Sequence, residues 1–138
     1  MGERTTEKFR CRGVERVLEE LAGRGFKVEA AIIFGSWARS GGGDWSDLDV
    51  LVVTDDVRST PILDRFKLAA ELRTHRVDLF LYTFEELKSM AMRGNPLALS
   101  ALIEGVPIVS SPRVEELIRE ARRTYTRRGR TWTRREAT

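Results

Sequence analysis

Short apolar runs alternate along this chain with longer stretches in which apolar residues recur every third or fourth position. Residues 6–23 place Phe9, Val14, Val17, Leu18 and Leu21 at helical spacing, and Gly23 and Gly25 end that pattern. Residues 28–34 then form a nearly continuous apolar run, which suits a central strand covered on both faces. Gly35-Ser36 starts a turn, with 36–40 as a candidate short helix, and 48–53 reads as a second doubly covered strand. Thr60-Pro61 opens a helix through Leu72, with proline placed in its first turn. From Arg76 to Tyr82, Val77, Leu79 and Leu81 alternate with Asp78, Phe80 and Tyr82, the period of a third strand. Thr83 and Glu86 make a capping-box signature for a helix to about Arg93. Gly94-Asn95-Pro96 breaks the chain before a short apolar helix to Glu104. A brief strand at 107–109 follows, and a last helix starts at Pro112 with Val114, Leu117, Ile118 and Ala121 on one face.

Strands interleaved with helices predict an α/β (α+β) domain, a small mixed sheet packed against helices. The order of the strands does not follow from the pattern. We expect one domain over residues 1–125. Beyond Tyr125 the Arg/Thr-rich residues 126–138 have no apolar periodicity, which predicts a mobile basic tail. A chain of 138 residues is long enough for one hydrophobic core. Cys11 stands alone, so an internal disulfide is excluded, a reducing cytoplasmic setting is expected, and the thiol falls on the apolar face of the first helix. His75 is the single histidine, which argues against a zinc site of His and Cys. No apolar run spans a bilayer, and the charged start lacks a signal-peptide core, so no membrane association is expected. The net charge of +3 hides an asymmetry: residues 1–112 carry 15 basic and 17 acidic side chains, residues 113–138 nine arginines and four glutamates. Basicity therefore lies in the tail, where nucleic acid is a possible partner.

Chemistry concentrates between the first two strands. Asp47 and Asp49, one residue apart at a strand start, project to one face, while Leu48 goes to the other. Paired carboxylates repel unless a cation offsets them. Asp78 is the only charged residue in the run 77–82, and a buried carboxylate without a partner would cost several kcal/mol. If the third strand lies beside the second, the three acids meet around Mg²⁺, the donor set of a phosphoryl- or nucleotidyl-transfer centre. Gly35 lets backbone approach a ligand, Ser36 adds a hydroxyl, and Arg39 a guanidinium suited to phosphate. A calcium loop fails because apolar residues follow Asp49. A Walker loop fails because no Gly-Lys-Ser/Thr follows Gly35.

Gly35-Ser36, a ten-residue spacer and Asp47-Leu48-Asp49-Val50 resemble the signature of the DNA polymerase beta nucleotidyltransferase superfamily, and Phe34, Arg39, Ser46 and Asp78 match it as well. The chain is most similar to the minimal nucleotidyltransferases, single-domain antitoxin partners of helical HEPN proteins. This resemblance implies a polymerase beta type fold, with Asp47, Asp49 and Asp78 as catalytic residues and ligands of Mg²⁺, two ions in the two-metal form. It implies Gly35, Ser36 and Arg39 as nucleotide-binding residues. The implied activity is transfer of a nucleoside monophosphate, AMP from ATP (or from another NTP its own nucleotide), onto a hydroxyl of a HEPN-type partner. A homo-oligomer would also complete the acceptor surface. Two alternatives stand beside this reading: a non-catalytic antitoxin that acts by docking, and an RNA-modifying nucleotidyltransferase that uses the basic tail.

Overall fold

The computed structural model describes residues 2–35 and 48–136, the side chains of 2–11 and of Thr74 excepted. Helix α1 (Gly2–Gly23) leads into β1 (Ala30–Phe34), and β2 (Leu48–Val53) follows. A 3-10 turn at Asp55–Val57 precedes α2 (Ile62–Leu72), and a second at Arg73–His75 precedes β3 (Val77–Tyr82). Then come α3 (Phe84–Met92), α4 (Pro96–Leu99) with a π-helical turn at Ser100–Glu104, β4 (Val106–Val109) and α5 (Pro112–Thr124). The chain closes in a hairpin, β5 (Tyr125–Arg128) and β6 (Thr131–Arg134). The expected mixed α/β architecture is the one observed.

The main sheet runs in the order β3-β2-β1-β4. β2 and β3 are parallel, joined through α2, while β1 is antiparallel to both β2 and β4. The apolar runs of the central strands follow from their position. β1 is buried at all five residues and β2 at all but Asp49, because helices cover both sheet faces. On one face Ala31, Ile33, Val50, Val52, Leu79 and Leu81 pack against α1 and α2. On the other Ile32, Leu51 and Val53 pack against α3, α4 and α5 through Leu87, Leu102 and Ile118. Burial of such side chains stabilises by roughly 1.5–3 kcal/mol each. Edge strand β3 alternates buried and half-buried residues, as its period of two requires.

The capping box at α3 is present as expected, with Thr83 Oγ1 accepting from the Glu86 amide and Glu86 accepting from the Thr83 amide. Gly13 lets α1 lie against the turn before β3, since a Cβ there would meet the His75 carbonyl. Among the described residues no helix is long and apolar enough to cross a membrane. The side chain of Cys11 lies outside the described set.

The tail holds regular structure that the apolar pattern does not announce. Residues 125–134 form an antiparallel hairpin. Tyr125 is buried and donates to the Met92 carbonyl at 3.2 Å, and Trp132 packs against the core. Arg127 bonds both carboxylate oxygens of Glu104 at 2.8 and 2.9 Å while its guanidinium lies 4.7 Å over the Trp132 ring. The anchors are two aromatics and one ion pair, spread too thinly to show as apolar periodicity.

An ion cluster ties the strand ends together. Arg113 donates to Glu29 Oε1 and to Asp55 Oδ2, at 2.6 and 2.9 Å, and stacks on Phe84. Hydrogen bonding to Arg113 holds Glu29 below the usual carboxylate range, and the Phe84 amide, followed by Arg113, does the same for Asp55. Both carboxyls therefore bind protons less readily folded than unfolded. Their contribution is full above about pH 4.5 and is lost as pH falls through the lowered folded values. Glu29→Gln is expected to lower stability by about 1–2 kcal/mol at pH 7 and to flatten the loss between pH 5 and 3, read from urea melts across that range.

Candidate active site

Of the residues singled out in the sequence, Gly35, Asp49 and Asp78 are described, and Ser36, Arg39 and Asp47 lie outside the described residues. Asp49 and Asp78 are register partners on the parallel strands β2 and β3. Adjacent strands lie about 4.8 Å apart, and register partners share a face, so both carboxylates project from neighbouring positions to the same side. That side is the one carrying Leu51, Val53 and Phe80, at the strand-start end of β2 and β3.

Apolar side chains form the floor. Phe34 is the β1 partner of Asp49, and its ring is 5.7 Å from that of Phe80, two residues beyond Asp78. Both carboxylates thus stand beside an aromatic pair on one side while remaining half-buried. A carboxylate with one apolar neighbour is less hydrated and interacts more strongly with a cation.

Gly35 supplies the third element. It follows β1 with φ +84, a region open to glycine, and a Cβ there would fall on the Asp49 carboxylate. The backbone turn therefore runs directly against the acid. Gly35→Ala is expected to cost about 1–3 kcal/mol, from strained backbone and displacement of Asp49, and to weaken any cation held there. A thermal melt with and without Mg²⁺ checks both effects.

Asp78 differs from its expected state. It is 37% exposed rather than buried, and Arg73 Nε lies 3.2 Å from Oδ1. The charge of this half-buried carboxylate is thereby offset by a partner from the preceding turn. Arg73, in the 3-10 turn before β3, has no signature in the sequence, because the turn alone brings it back over the strand start. Arg76 takes φ +61, and its carbonyl accepts from the Leu48 amide at 3.1 Å, which sets the register of the two acidic strands.

The donor set fits magnesium. Hard carboxylate oxygens from two rigid strands suit Mg²⁺, which takes one or two carboxylates and leaves positions for water and phosphate. Among the described residues no group of three His, Cys, Asp or Glu gathers as a metal site. The third acid expected there, Asp47, lies outside them.

The family described as Polymerase beta, Nucleotidyltransferase matches residues 16–112, which include all three acids. Among curated proteins none matches the chain. Solved structures share its fold. One is a mutant of the MntA–HpeT toxin–antitoxin complex, 14% identical, with 78% of this chain and 82% of that one aligned and a TM-score of 0.54. Another is the complex of a tri-AMPylated HEPN toxin from Shewanella oneidensis with its MNT antitoxin, 16% identical, with 79% of each chain aligned and a TM-score of 0.52.

Proposed function

Because this chain belongs to the polymerase beta nucleotidyltransferase family, we propose that it transfers AMP from ATP, with Mg²⁺, to a hydroxyl group on a HEPN-type helical partner. The observation that carries the proposal is the register pairing of Asp49 with Asp78 beside the Gly35 turn. The MNT antitoxin in complex with a tri-AMPylated HEPN toxin supports the choice of nucleotide and acceptor.

In this reading Asp47, Asp49 and Asp78 hold Mg²⁺ with the triphosphate, and Gly35, Ser36 and Arg39 hold its phosphate oxygens. Mg²⁺ bound there would supply charge neutralisation at the α-phosphorus of the transferring adenylyl group and for the departing pyrophosphate. The acceptor oxygen forms a bond to the α-phosphorus as the bond from that phosphorus to the bridging oxygen breaks. Asp78 takes the hydroxyl proton, and the electron pair leaves on pyrophosphate. Arg73 orients the Asp78 carboxylate before substrate arrives. The Phe34–Phe80 pair keeps one wall dry, which strengthens the charges that face it.

The test uses ATP labelled at the α-phosphate, Mg²⁺ and the purified HEPN-type partner. Label on a partner hydroxyl, abolished by EDTA and accompanied by pyrophosphate, is the expected result. A partner silenced in a stable, unlabelled complex would replace transfer by docking.

A further inference from the structure

The nine arginines of residues 113–138 divide into two groups. Arg113, Arg119, Arg123 and Arg127 meet carboxylates: Glu29 with Asp55, Glu116 twice, and Glu104. Arg122, Arg128 and Arg130 are exposed and have no side-chain partner among the described residues. Arg134 lies over the Tyr125 ring at 5.8 Å, and Arg135 donates to the Arg122 carbonyl. Neither contact offsets their charge. Five guanidiniums of this segment thus have no carboxylate partner among the described residues, and Arg128, Arg134 and Arg135 line one concavity.

Register separates the two faces of the hairpin. Tyr125 opposite Arg134 and Arg127 opposite Trp132 share the face that packs inward. Thr126 opposite Thr133 and Arg128 opposite Thr131 share the other. This outer face carries hydroxyls and a guanidinium and no apolar residue. A concavity of about 500 Å³ opens where this face meets the end of the second strand, lined by Thr126, Thr133, the guanidiniums of Arg128, Arg134 and Arg135, and one carboxylate, Glu136.

We propose that this face of the hairpin binds the phosphodiester backbone of nucleic acid. Guanidinium groups pair with phosphate oxygens in bidentate fashion, and threonine hydroxyls donate to the same oxygens. A protein partner would need an apolar or aromatic anchor at the contact centre, which the outer face lacks. Both nearby aromatics are committed elsewhere, Tyr125 buried and Trp132 under Arg127. Bases therefore find no stacking platform. Binding is to the backbone, indifferent to sequence and steeply dependent on salt.

The test titrates the full chain against fluorescein-labelled single-stranded RNA and duplex DNA of about 20 nucleotides per strand, by anisotropy, from about 50 to 300 mM KCl. Wild type is expected to bind both, with affinity falling linearly on a log–log salt plot. The triple variant Arg122→Gln, Arg128→Gln, Arg130→Gln is expected to bind roughly 10- to 100-fold more weakly at low salt, with a slope flatter by about 2 on single-stranded RNA and nearer about 3 on duplex DNA. Its melting temperature and its AMP transfer should match wild type, since these side chains are exposed and remote in sequence from the site. Arg128→Glu alone should weaken binding in the same direction. Absence of binding by wild type, an unchanged slope in the triple variant, or displacement of the probe by poly-glutamate at equal charge would each overturn the proposal, the last in favour of an acidic protein.

Discussion

Asp49→Asn is expected to reduce nucleotide transfer by about three orders of magnitude or more while leaving the unliganded fold as stable as before. The side chain keeps its shape, so the turn at Gly35 still has room beside it. What changes is charge. One of two register-paired carboxylates becomes neutral, and the attraction for a divalent cation falls with it. Two like charges on adjacent strands repel, and Arg73 Nε lies 3.2 Å from the Asp78 carboxylate. Loss of one charge therefore removes repulsion as well as function. Two measurements check this. Label transfer from ATP should vanish, and the melting-temperature gain that Mg²⁺ with ATP gives the wild type should disappear. A clear fall in the unliganded melting temperature would count against a functional carboxylate pair and for a structural one.

The largest effect on stability is expected from Arg65→Met, at about 3–5 kcal/mol. Arg65 is 6% exposed, on the inner side of α2. Its guanidinium closes four bonds. Nε donates to the Thr60 carbonyl at 2.9 Å and Nη2 to the Val57 carbonyl at 2.7 Å. Nη1 donates to the Leu81 carbonyl at 3.3 Å and to Glu86 Oε1 at 2.8 Å. One side chain thus joins the β2–α2 loop, strand β3 and the cap of α3. Methionine fills the space but leaves three carbonyls and a carboxylate without this donor. Burial pushes Glu86 up, and the Arg65 hydrogen bond, the Thr83 bonds and the Arg65 charge together outweigh it and hold the group below the usual range. Without Arg65 only burial and the Thr83 bonds remain, so the Glu86 pKa should rise toward or above its ordinary value. Urea denaturation at pH 7 reads the stability loss, and NMR titration of Glu86 reads the shift. Arg65→Lys should recover part, because a single ammonium cannot reach four acceptors in three directions.

The strands were legible because burial writes itself into composition. Residues 28–34 and 48–53 read as doubly covered strands, and the strands Ala30–Phe34 and Leu48–Val53 lie sandwiched between two helical layers. Asp49 stood out for the same reason: it is the one residue of β2 that is not buried. Asp78 was found by contrast with Val77, Leu79 and Leu81. Its state was not, because its partner Arg73 arrives through a 3-10 turn whose path no periodicity encodes. The hairpin escaped for a related reason. Its strands hold only Tyr125 and Trp132 as apolar anchors, and the ion pair of Arg127 with Glu104 spans 23 residues.

By itself, then, the order of residues settled the helices and the strands of the main sheet, which of those strands are covered on both sides, and which acidic and small residues are chemically unusual. Those properties depend on spacing between near neighbours, which a linear chain displays. Tertiary structure alone decided that β2 and β3 run parallel with Asp49 opposite Asp78, that Gly35 lies against the same carboxylate, and that the arginine-rich end folds back with some of its charges paired and others bare. Pairings of that kind arise between segments distant along the chain. Their energies depend on which surfaces the packed core leaves open, a quantity that exists only once the chain has closed.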